Sequence, residues 1–464
     1  MDNSMWKPLQ FAGSPYDAEP LGVQGESVEL LVGRQEEALA LCTALDSAGQ
    51  GVVTLAGVPG VGKTSFLNVQ QYLLESDLEP FGPHLMAARE LCIIRPEDSA
   101  RDVAHRVVYS LVRSVEEYCA VSNRPVPTQA KTIGKWINAG GGSGYDIGLT
   151  LFNCGGTFGR QAEVPKASDV SFEGLRDAVH CLVSEVVTKL GFSGAVIALD
   201  NIENLADDQL AKLLISFRDT LFSIPCAWWV LMGQSGLGSL IQALDPRVSE
   251  RMTGEPLELS PISLDELHAA IDLRVRRFHR NPGGKSPLPQ NVHRHLYDAS
   301  NGEIRFVFKY ANAICINIVR DLRTRMMELM RYRRRPRGAP PHREITEQQL
   351  NEALGEVVVG EQLTVELAEK HLVAIIATDI KGLHLDAVDR RILQQIGSAG
   401  GVTPTDCHQY ECESPQEFSS RFLRRFHEKH LLLREQKGES VTYRLRGVAL
   451  LAGEFGLLAN REKN

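Results

Sequence analysis

One octapeptide constrains the fold of this chain more than any other feature. Gly57 to Thr64 reads GVPGVGKT, fits the pattern G-x-x-x-x-G-K-[ST], and directly follows the apolar run at residues 52–56. A strand before the octapeptide and a helix beginning near Ser65 are the context in which such a loop cradles phosphate groups. The glycines let backbone N–H groups approach phosphate oxygens closely. We therefore expect a nucleotide site formed by Pro59, Gly60, Val61, Gly62, Lys63, Thr64 and Ser65.

The chemistry of that site requires two kinds of polar group. Lys63 would meet the β- and γ-phosphates of ATP, and the Thr64 hydroxyl would ligate Mg²⁺. Because Mg²⁺ prefers oxygen ligands, a carboxylate should follow a neighbouring strand, and the apolar run 195–199 ends in Asp200. We predict Thr64 and Asp200 as metal ligands, with ATP and Mg²⁺ as cofactors.

The residue after Asp200 leaves the rate of hydrolysis open. Asn201 stands where many such ATPases carry the glutamate that polarises the attacking water. Glu203, two positions further on, is the candidate substitute. The alternative is slow hydrolysis, with the nucleotide acting mainly as a conformational latch.

Periodicity divides the chain into regions. From residue 31 to about 261, short apolar strands alternate with amphipathic helices, which is typical of an α/β layer with a parallel sheet. The predicted strands are 52–56, 91–94, 195–199, 227–232 and 256–259. A Gly-rich stretch at 133–160 interrupts this order and predicts a hairpin-bearing insertion. It is either a contact arm for DNA, a partner or the next subunit, or an ordinary surface loop.

The second half of the chain is mainly helical and locally basic. Ser263 and Glu266 form a capping box that opens a helix-only region. Residues 320–343 then hold nine arginines against Asp321 and Glu328, a local charge of +7 in an acidic chain. Such a segment attracts anions in a salt-sensitive manner.

Near the carboxyl end, the pattern predicts three helices and a hairpin over residues 386–446. The third helix begins at Ser414 with an S-x-x-E box and separates an apolar face from a basic one. The apolar face carries Phe418, Phe422 and Phe426, and the basic face carries Arg421, Arg424 and Arg425. Arg444 lies on the predicted hairpin.

Five segments, in this order, resemble the AAA+ ATPases, and among them the origin-recognition initiators and their bacterial relatives. Residues 31–34, LVGR, resemble the box that flanks the adenine, which implies Gly33 and Arg34 as nucleotide contacts. The octapeptide itself is the second segment, and residues 229–234 resemble the strand that leads into sensor 1, with Gln234 at its tip. The segment 244–251 resembles the one that carries the arginine finger, and GEIR at 302–305 resembles sensor 2. The implied catalytic residues are Asp200, Glu203, Gln234, Arg251 or alternatively Arg247 as the finger, and Arg305.

The resemblance implies an α/β fold: a P-loop AAA+ core with a parallel sheet, a helical lid and a C-terminal winged helix. The expected divisions are an N-terminal arm at 1–30, the core at 31–261, the lid at 262–330, a basic linker and helix at 331–378, the winged helix at 379–451 and a tail at 452–464. The third helix of the winged helix would enter a DNA groove through Arg421, Arg424 and Arg425, with Arg444 on the wing. Protein docking is the alternative, because Glu428, Glu435 and Glu439 dilute the charge.

The function these features imply is an ATP-binding, ATP-hydrolysing switch that couples nucleotide state to self-assembly and to a DNA transaction. Loading, transposition targeting and defence against foreign DNA all fit. The expected partners are ATP or ADP, double-stranded DNA, and further copies of the chain or a partner protein. The main rival is a signalling ATPase of the STAND type that acts through protein partners. A nucleotide-independent DNA-binding regulator is a weaker third, because Gly62, Lys63 and Thr64 are intact.

Composition restricts the cellular compartment in which we expect the protein. The chain has 464 residues, 43% of them hydrophobic, and a formal net charge of −8. No apolar run approaches the roughly 20 residues that a membrane helix needs, and the first residues lack a signal-peptide pattern. Nine scattered cysteines fit a reducing compartment. We expect a cytoplasmic protein with no membrane partner.

Overall fold

The computed structural model describes residues 5–80, 82–138, 171–332, 362–437 and 440–459. The chain folds into two compact units. One unit is Pro20–Ser260, and the other combines Met1–Glu19 with Pro261–Asn464.

The unit Pro20–Ser260 is built on a parallel sheet. Its strands are β1 Gly51–Gly57, β2 Leu85–Ala87, β3 Cys92–Ile93, β4 Gly194–Asp200, β5 Ala227–Met232 and β6 Leu257–Leu259. The order along the sheet is β2-β4-β5-β1-β6, with β3 also paired to β4, and every pairing is parallel. All residues of β1, β4 and β5 are buried, as expected for strands covered on both faces. The predicted α/β fold with a parallel sheet is confirmed.

Nine helices accompany this sheet among the described residues of the unit. They are α1 Gly25–Val28, α2 Gln35–Asp46, α3 Lys63–Glu75, α4 Ala100–Val121, α5 Thr128–Asn138, α6 Phe172–Glu185, α7 Asp207–Arg218, α8 Leu237–Leu244 and α9 Pro246–Ser249. A π-helical turn, Val186–Leu190, extends α6.

Two expectations for this unit are wrong in part. The Gly-rich insertion was predicted to begin at residue 133, but α5 continues to Asn138 because Ile133 and Trp136 pack into the core at helical spacing. The rest of the predicted insertion lies outside the described residues. Strand β2 was not predicted, and the strand expected at 91–94 contains only Cys92–Ile93. Runs of two or three residues are too short to show a period.

The sheet order brings the ends of distant strands to one edge. Strand β1 lies between β5 and β6, and β4 lies on the other side of β5. Because all these strands are parallel, their carboxyl ends share an edge, and ligands of open α/β sheets bind at that edge. Gly57 ends β1 and begins the loop 57–64, Asp200 ends β4, and Gly233 follows β5, so all three lie along this edge.

The second unit is mainly helical. Its helices are α10 Leu264–Phe278, α11 Gln290–Ser300, α12 Ile304–Tyr332, α13 Val365–Gly382, α14 Ala387–Ala399, α15 Pro415–Phe418, α16 Arg424–Glu428 and α17 Gly447–Glu454, and its hairpin is β7 Leu432–Lys437 with β8 Ser440–Leu445. The Ser263–Glu266 capping box at the start of α10 is confirmed. A π-helical turn, Ser419–Leu423, joins α15 to α16. Most of the predicted basic linker and the hairpin turn at Gly438 lie outside the described residues.

The amino-terminal segment contributes to the core of this second unit. Trp6, Phe11 and Tyr16 are buried in the same cluster as residues of α10, α11 and α12. Phe11 forms an antiparallel bridge with His279, and the Ala12 N–H donates to the Phe278 carbonyl at 2.8 Å. The expected arm at 1–30 is therefore divided, since its first part is anchored here by aromatic burial. Among the described residues, no helix has the length and apolar character that crossing a bilayer requires.

Candidate functional site

The loop at residues 57–64 owes its curvature to glycine. Gly60 and Gly62 have φ angles of 78° and 102°, in the left-handed region that glycine tolerates without strain. A Cβ on Gly57 would lie 2.7 Å from the Leu259 carbonyl oxygen, so only glycine fits between β1 and β6. Residues 58–60 and 62–65 are partly or fully accessible. The strand–loop–helix predicted from the octapeptide is therefore present.

The side chain of Lys63 folds back onto the backbone of the phosphate-binding loop. The Lys63 ammonium donates to the Gly57 carbonyl at 2.8 Å and to the Val58 carbonyl at 3.3 Å. Lys63 is the first residue of α3, and half-buried Thr64 is the second. The lysine charge, the Thr64 hydroxyl and the positive end of the α3 dipole thus gather where phosphate groups would bind.

Two carboxylates lie at the end of β4: Asp200 is its last residue, and Glu203 is in the turn that follows. Asp200 is buried, and its Oδ1 accepts the Asn201 N–H at 2.8 Å. Asn201 is left-handed (φ 60°) and starts the 3₁₀ turn Ile202–Asn204. A Cβ on Gly233 would lie 3.2 Å from Glu203 Oε2, and that oxygen is buried without a hydrogen-bond partner. The turn therefore brings Glu203 beside the end of β5, next to exposed Gln234.

The donor set fits a magnesium ion. The Thr64 hydroxyl and the Asp200 carboxylate are oxygen donors on the same edge of the sheet, and Mg²⁺ is commonly held by one or two such groups together with phosphate oxygens. Glu203 Oε2 is an orphaned buried acceptor at that edge. When bound, the ion would neutralise charge on the phosphate oxygens.

Two residues expected to contact nucleotide form hydrogen bonds with protein groups in the structure. Arg34 is 9% exposed, pairs with Glu37 at 2.7 Å, and donates to the Val61 carbonyl at 3.2 Å and the Ser260 carbonyl at 2.8 Å. A buried guanidinium needs such acceptors, because leaving its donors unpaired would be costly. Arg34, which follows Gly33, therefore stabilises the phosphate-binding loop by a hydrogen bond to the backbone carbonyl of Val61. Similarly, Ser65 Oγ accepts the Leu21 N–H at 3.1 Å.

Both candidate arginine fingers are exposed and far from the loop of their own unit. The Arg251 carbonyl accepts the Val52 N–H at 3.2 Å, at the amino end of β1. The loop follows the other end of that strand, five residues or about 17 Å away. Arg247 lies on α9, in the same segment. This distance is longer than an arginine side chain.

A network that the sequence analysis missed fixes this segment. Asp245 is buried, and its Oδ1 accepts the Arg247 N–H at 2.9 Å while its Oδ2 accepts from Arg218 at 2.7 Å. Arg218 also binds Asp219 through two nitrogens. Hydrogen bonds from Arg218 lower the pKa of Asp219, and the charges of Arg251 and Arg247 lower it further. The only sequence signal was Asp245 before Pro246, a helix-capping pattern.

Arg305 lies in the second unit, exposed in the first turn of α12. Gly302 before it is left-handed, with a φ of 81°. Its neighbour Glu303 forms an ion pair with Arg446, the residue that follows β8.

The basic face expected on the third helix is partly neutralised. Arg425 pairs with the buried carboxylate of Asp389 at the start of α14. Arg421 pairs with Glu417 at 3.4 Å, and Arg444 pairs with Glu435 at 3.7 Å. Arg424 is exposed. Arg425 was expected on an exposed basic face; its side chain is 41% exposed but paired, and helical spacing alone does not reveal the facing Asp389.

Neither a protein-family model nor a curated protein sequence matches this chain. Solved structures do. A Walker-type ATPase of Pyrococcus abyssi is 14% identical with a TM-score of 0.51, over 95% of this chain and 99% of that one. The ORC2 protein of Aeropyrum pernix, solved in ADPNP–ADP complexes, is 14% identical with a TM-score of 0.46, over 96% and 97%. The ORC1 protein of Aeropyrum pernix in complex with DNA is 13% identical with a TM-score of 0.39, over 98% and 97%. The likeness to the Pyrococcus protein shows that this chain has the fold of a P-loop α/β ATPase.

Proposed function

We propose that this chain binds ATP with Mg²⁺ at residues 57–64 and hydrolyses it. One observation carries the proposal: a glycine-curved loop ending in Lys63 lies on the same sheet edge as the Asp200 and Glu203 carboxylates. Lys63 exchanges its contacts with the loop carbonyls for phosphate oxygens, which are the stronger charge-assisted acceptors.

Each remaining polar group has a proposed role. Thr64 and Asp200 hold the magnesium ion. Glu203 orients the attacking water and accepts its proton, which the buried, unpartnered Oε2 supports. Gln234, next to Glu203 at the end of β5, positions the same water by hydrogen bonding. Arg305 senses the γ-phosphate from α12.

Hydrolysis depends on assembly in this proposal. Arg251, with Arg247 as the alternative, cannot reach the loop of its own subunit and instead serves the site of an adjacent copy. A guanidinium supplied in this way accelerates phosphoryl transfer by about 10³-fold or more in comparable enzymes. Self-assembly therefore controls turnover, and without neighbours the chain hydrolyses slowly.

Nucleotide state then governs a DNA transaction through the carboxyl-terminal module of residues 387–454. We propose that this module is a winged helix, since three helical segments precede a two-stranded hairpin: α14, the 3₁₀ helix Pro404–Tyr410, and the segment from α15 to α16. Arg424 and Arg421 are the proposed DNA contacts, with Arg444 on the hairpin. Loading, transposition targeting and anti-foreign-DNA defence are the candidate processes.

A specific observation supports the rival function. Arg425, Arg421 and Arg444 each pair with an acidic side chain of the same module. Such pairing reduces the positive potential available to DNA and suits a surface that docks protein. A STAND-type signalling ATPase would use the module in that way.

The deciding experiment measures ATPase activity of the full chain with and without duplex DNA, at two salt concentrations, while particle mass is recorded. The DNA-dependent switch predicts stimulation by DNA that falls with salt, together with assembly in ATP. The signalling function predicts no response to DNA and retained ADP. If the chain binds no nucleotide, both the DNA-dependent switch and the signalling function are refuted.

A further inference from the structure

A cavity of about 480 Å³ lies within the second unit, and none of its lining residues belongs to the proposed ATP site or the proposed DNA contacts. Helix α10 contributes His268, Asp272 and Arg276, the following loop contributes Lys285, and α11 contributes His293. Ile271 and Val275 supply apolar wall. The volume is within the range of small-molecule sites, which combine apolar walls with a few converging polar groups.

Two imidazoles in the wall have unmet hydrogen-bonding capacity. His293 is 1% exposed, and its Nδ1 is buried without a partner, as is Nε2 of His268. The two rings are 6.1 Å apart. Since buried polar atoms are nearly always satisfied, two unpartnered ring nitrogens on residues that line one cavity indicate a missing hydrogen-bonding group.

A hydrogen bond between Nε2 and the Tyr16 hydroxyl fixes the orientation of the His293 ring. Its Nε2 is 2.9 Å from the hydroxyl of fully buried Tyr16, and that hydroxyl is 2.7 Å from Ser286 Oγ and accepts the Leu288 N–H at 3.3 Å. If Ser286 donates to Tyr16 and Tyr16 donates to Nε2, then Nδ1 carries the ring proton. The ring of this lining residue then carries an unpartnered N–H donor at Nδ1.

The charges at the rim select the sign of the ligand. Arg276 and Lys285 outweigh Asp272 by one positive charge, and within the described part of the chain no acidic side chain pairs with either cation. Burial, and then the neighbouring His268, lower the pKa of His293 to about 3, so the ring is a neutral donor. A bound cation is disfavoured, and the described residues include no group of three His, Cys, Asp or Glu side chains arranged to hold a metal.

We propose that this cavity binds the phosphoryl group of a small molecule. Arg276 presents a planar fork and Lys285 a point charge, the two forms in which proteins meet phosphate. Nδ1 of His293 and Nε2 of His268 donate to the remaining oxygens. The limited volume of about 480 Å³ favours free phosphate or a small phosphorylated metabolite over a polymer. The proposal is independent of the ATPase function.

Calorimetry on the full chain tests the site. The titrations use the Lys63→Ala background, which removes the main phosphate contact of the loop at 57–64. The probes are inorganic phosphate, ribose 5-phosphate and ribose. We expect one binding event for the phosphate-bearing probes and none for ribose. Equal affinity for both phosphates identifies free phosphate as the ligand, and tighter ribose 5-phosphate binding identifies a sugar phosphate.

Single substitutions in the cavity wall test whether the phosphate-bearing probes bind there. Arg276→Ala and Lys285→Ala should each raise Kd by about tenfold or more, the effect of losing one charge-assisted hydrogen bond. His293→Gln keeps a polar group toward Tyr16 and removes Nδ1, so it should weaken binding as well. Arg277→Ala, on the same helix but outside the cavity, should leave Kd unchanged. Unaltered thermal melting shows that each variant is folded. No binding of either phosphate, or affinities unaffected by the three cavity variants, would overturn the proposal.

Discussion

Arg446 donates to the carboxylate of Glu303, and so connects the residue after the hairpin to the residue two positions before Arg305. Both side chains are largely buried, with 11% and 19% exposure. Beside this pair, a Cβ on left-handed Gly447 would lie 3.2 Å from the ring of Phe306, so the chain approaches α12 closely there. The carboxyl-terminal module and the start of α12 are therefore joined by a partly desolvated ion pair.

Breaking that pair should destabilise the second unit. We expect Arg446→Ala to lower the free energy of unfolding by about 2 kcal/mol, because a buried carboxylate loses its charged partner. Urea denaturation measures the loss, and the double variant with Glu303→Gln should recover part of it. The matched control is Arg444→Ala, whose pair with Glu435 is exposed and contributes less than about 1 kcal/mol. Equal losses in the two variants would contradict the assignment.

Lys63→Ala should abolish ATP binding, because the ammonium is the main protein charge available to the β- and γ-phosphates. Fluorescent-nucleotide titration checks this, with exposed Lys212 on α7 changed to Ala as the control. Unchanged nucleotide affinity in Lys63→Ala would refute the whole site.

Arg251→Ala should reduce hydrolysis by about 10³-fold while sparing ATP binding. In a mixture, the Lys63→Ala subunit supplies an intact arginine to the intact loop of the Arg251→Ala subunit. Partial recovery of turnover on mixing is expected, and steady-state phosphate release measures it. If no mixing ratio restores activity, the finger does not act between subunits.

Neighbouring arginines on the third helix should respond in opposite ways. Arg425→Ala leaves Asp389 buried without its cation and should cost about 2 kcal/mol of stability. Arg424→Ala should leave stability unchanged, weaken duplex DNA binding and reduce its salt slope by about one. Denaturation and DNA titration at several salt concentrations separate the two effects. A salt slope that does not change in Arg424→Ala would favour protein docking.

The free energy of unfolding should decrease as the pH is lowered, because His293 takes up a proton more readily in the unfolded chain. Its pKa is about 3 in the folded chain, below the usual value of 6.5, so the unfolded chain binds the extra proton between these values. The contribution is complete above pH 6.5 and is lost by up to about 1.4 kcal/mol per pH unit as the pH falls toward 3. Urea midpoints at pH 7, 6 and 5 measure it. His293→Gln should flatten the profile, and an unchanged slope would show that other groups dominate.

The sequence predicted those features that depend on local patterns. The octapeptide, the apolar runs of β1, β4 and β5, and the Ser263–Glu266 box all reflect short-range periodicity or capping. Asp200 was found because a strand ending in an acid is itself a local pattern.

Features made by distant segments were not predictable in this way. The acceptors of Arg34 lie 27 and 226 residues away in sequence, and Asp389 lies 36 residues from Arg425. A single sequence shows which residue types are present but not which partner folding supplies to each. The sequence therefore failed where the partner of a side chain mattered. For Arg425, helical spacing predicted the face of the helix but not the buried carboxylate of Asp389 that neutralises its charge.

The chain passes from one compact unit to the other twice, before Pro20 and before Pro261. On the side of the phosphate-binding loop, Leu21 is held by Ser65 and Asn68, and the Ser260 carbonyl is held by Arg34. A protease that cut before Pro261 would give two fragments, 1–260 and 261–464, which stay associated through the packing of Trp6, Phe11 and Tyr16 into the core of the second unit. After limited digestion at that passage, the two fragments should therefore elute together under native conditions and separate in denaturant.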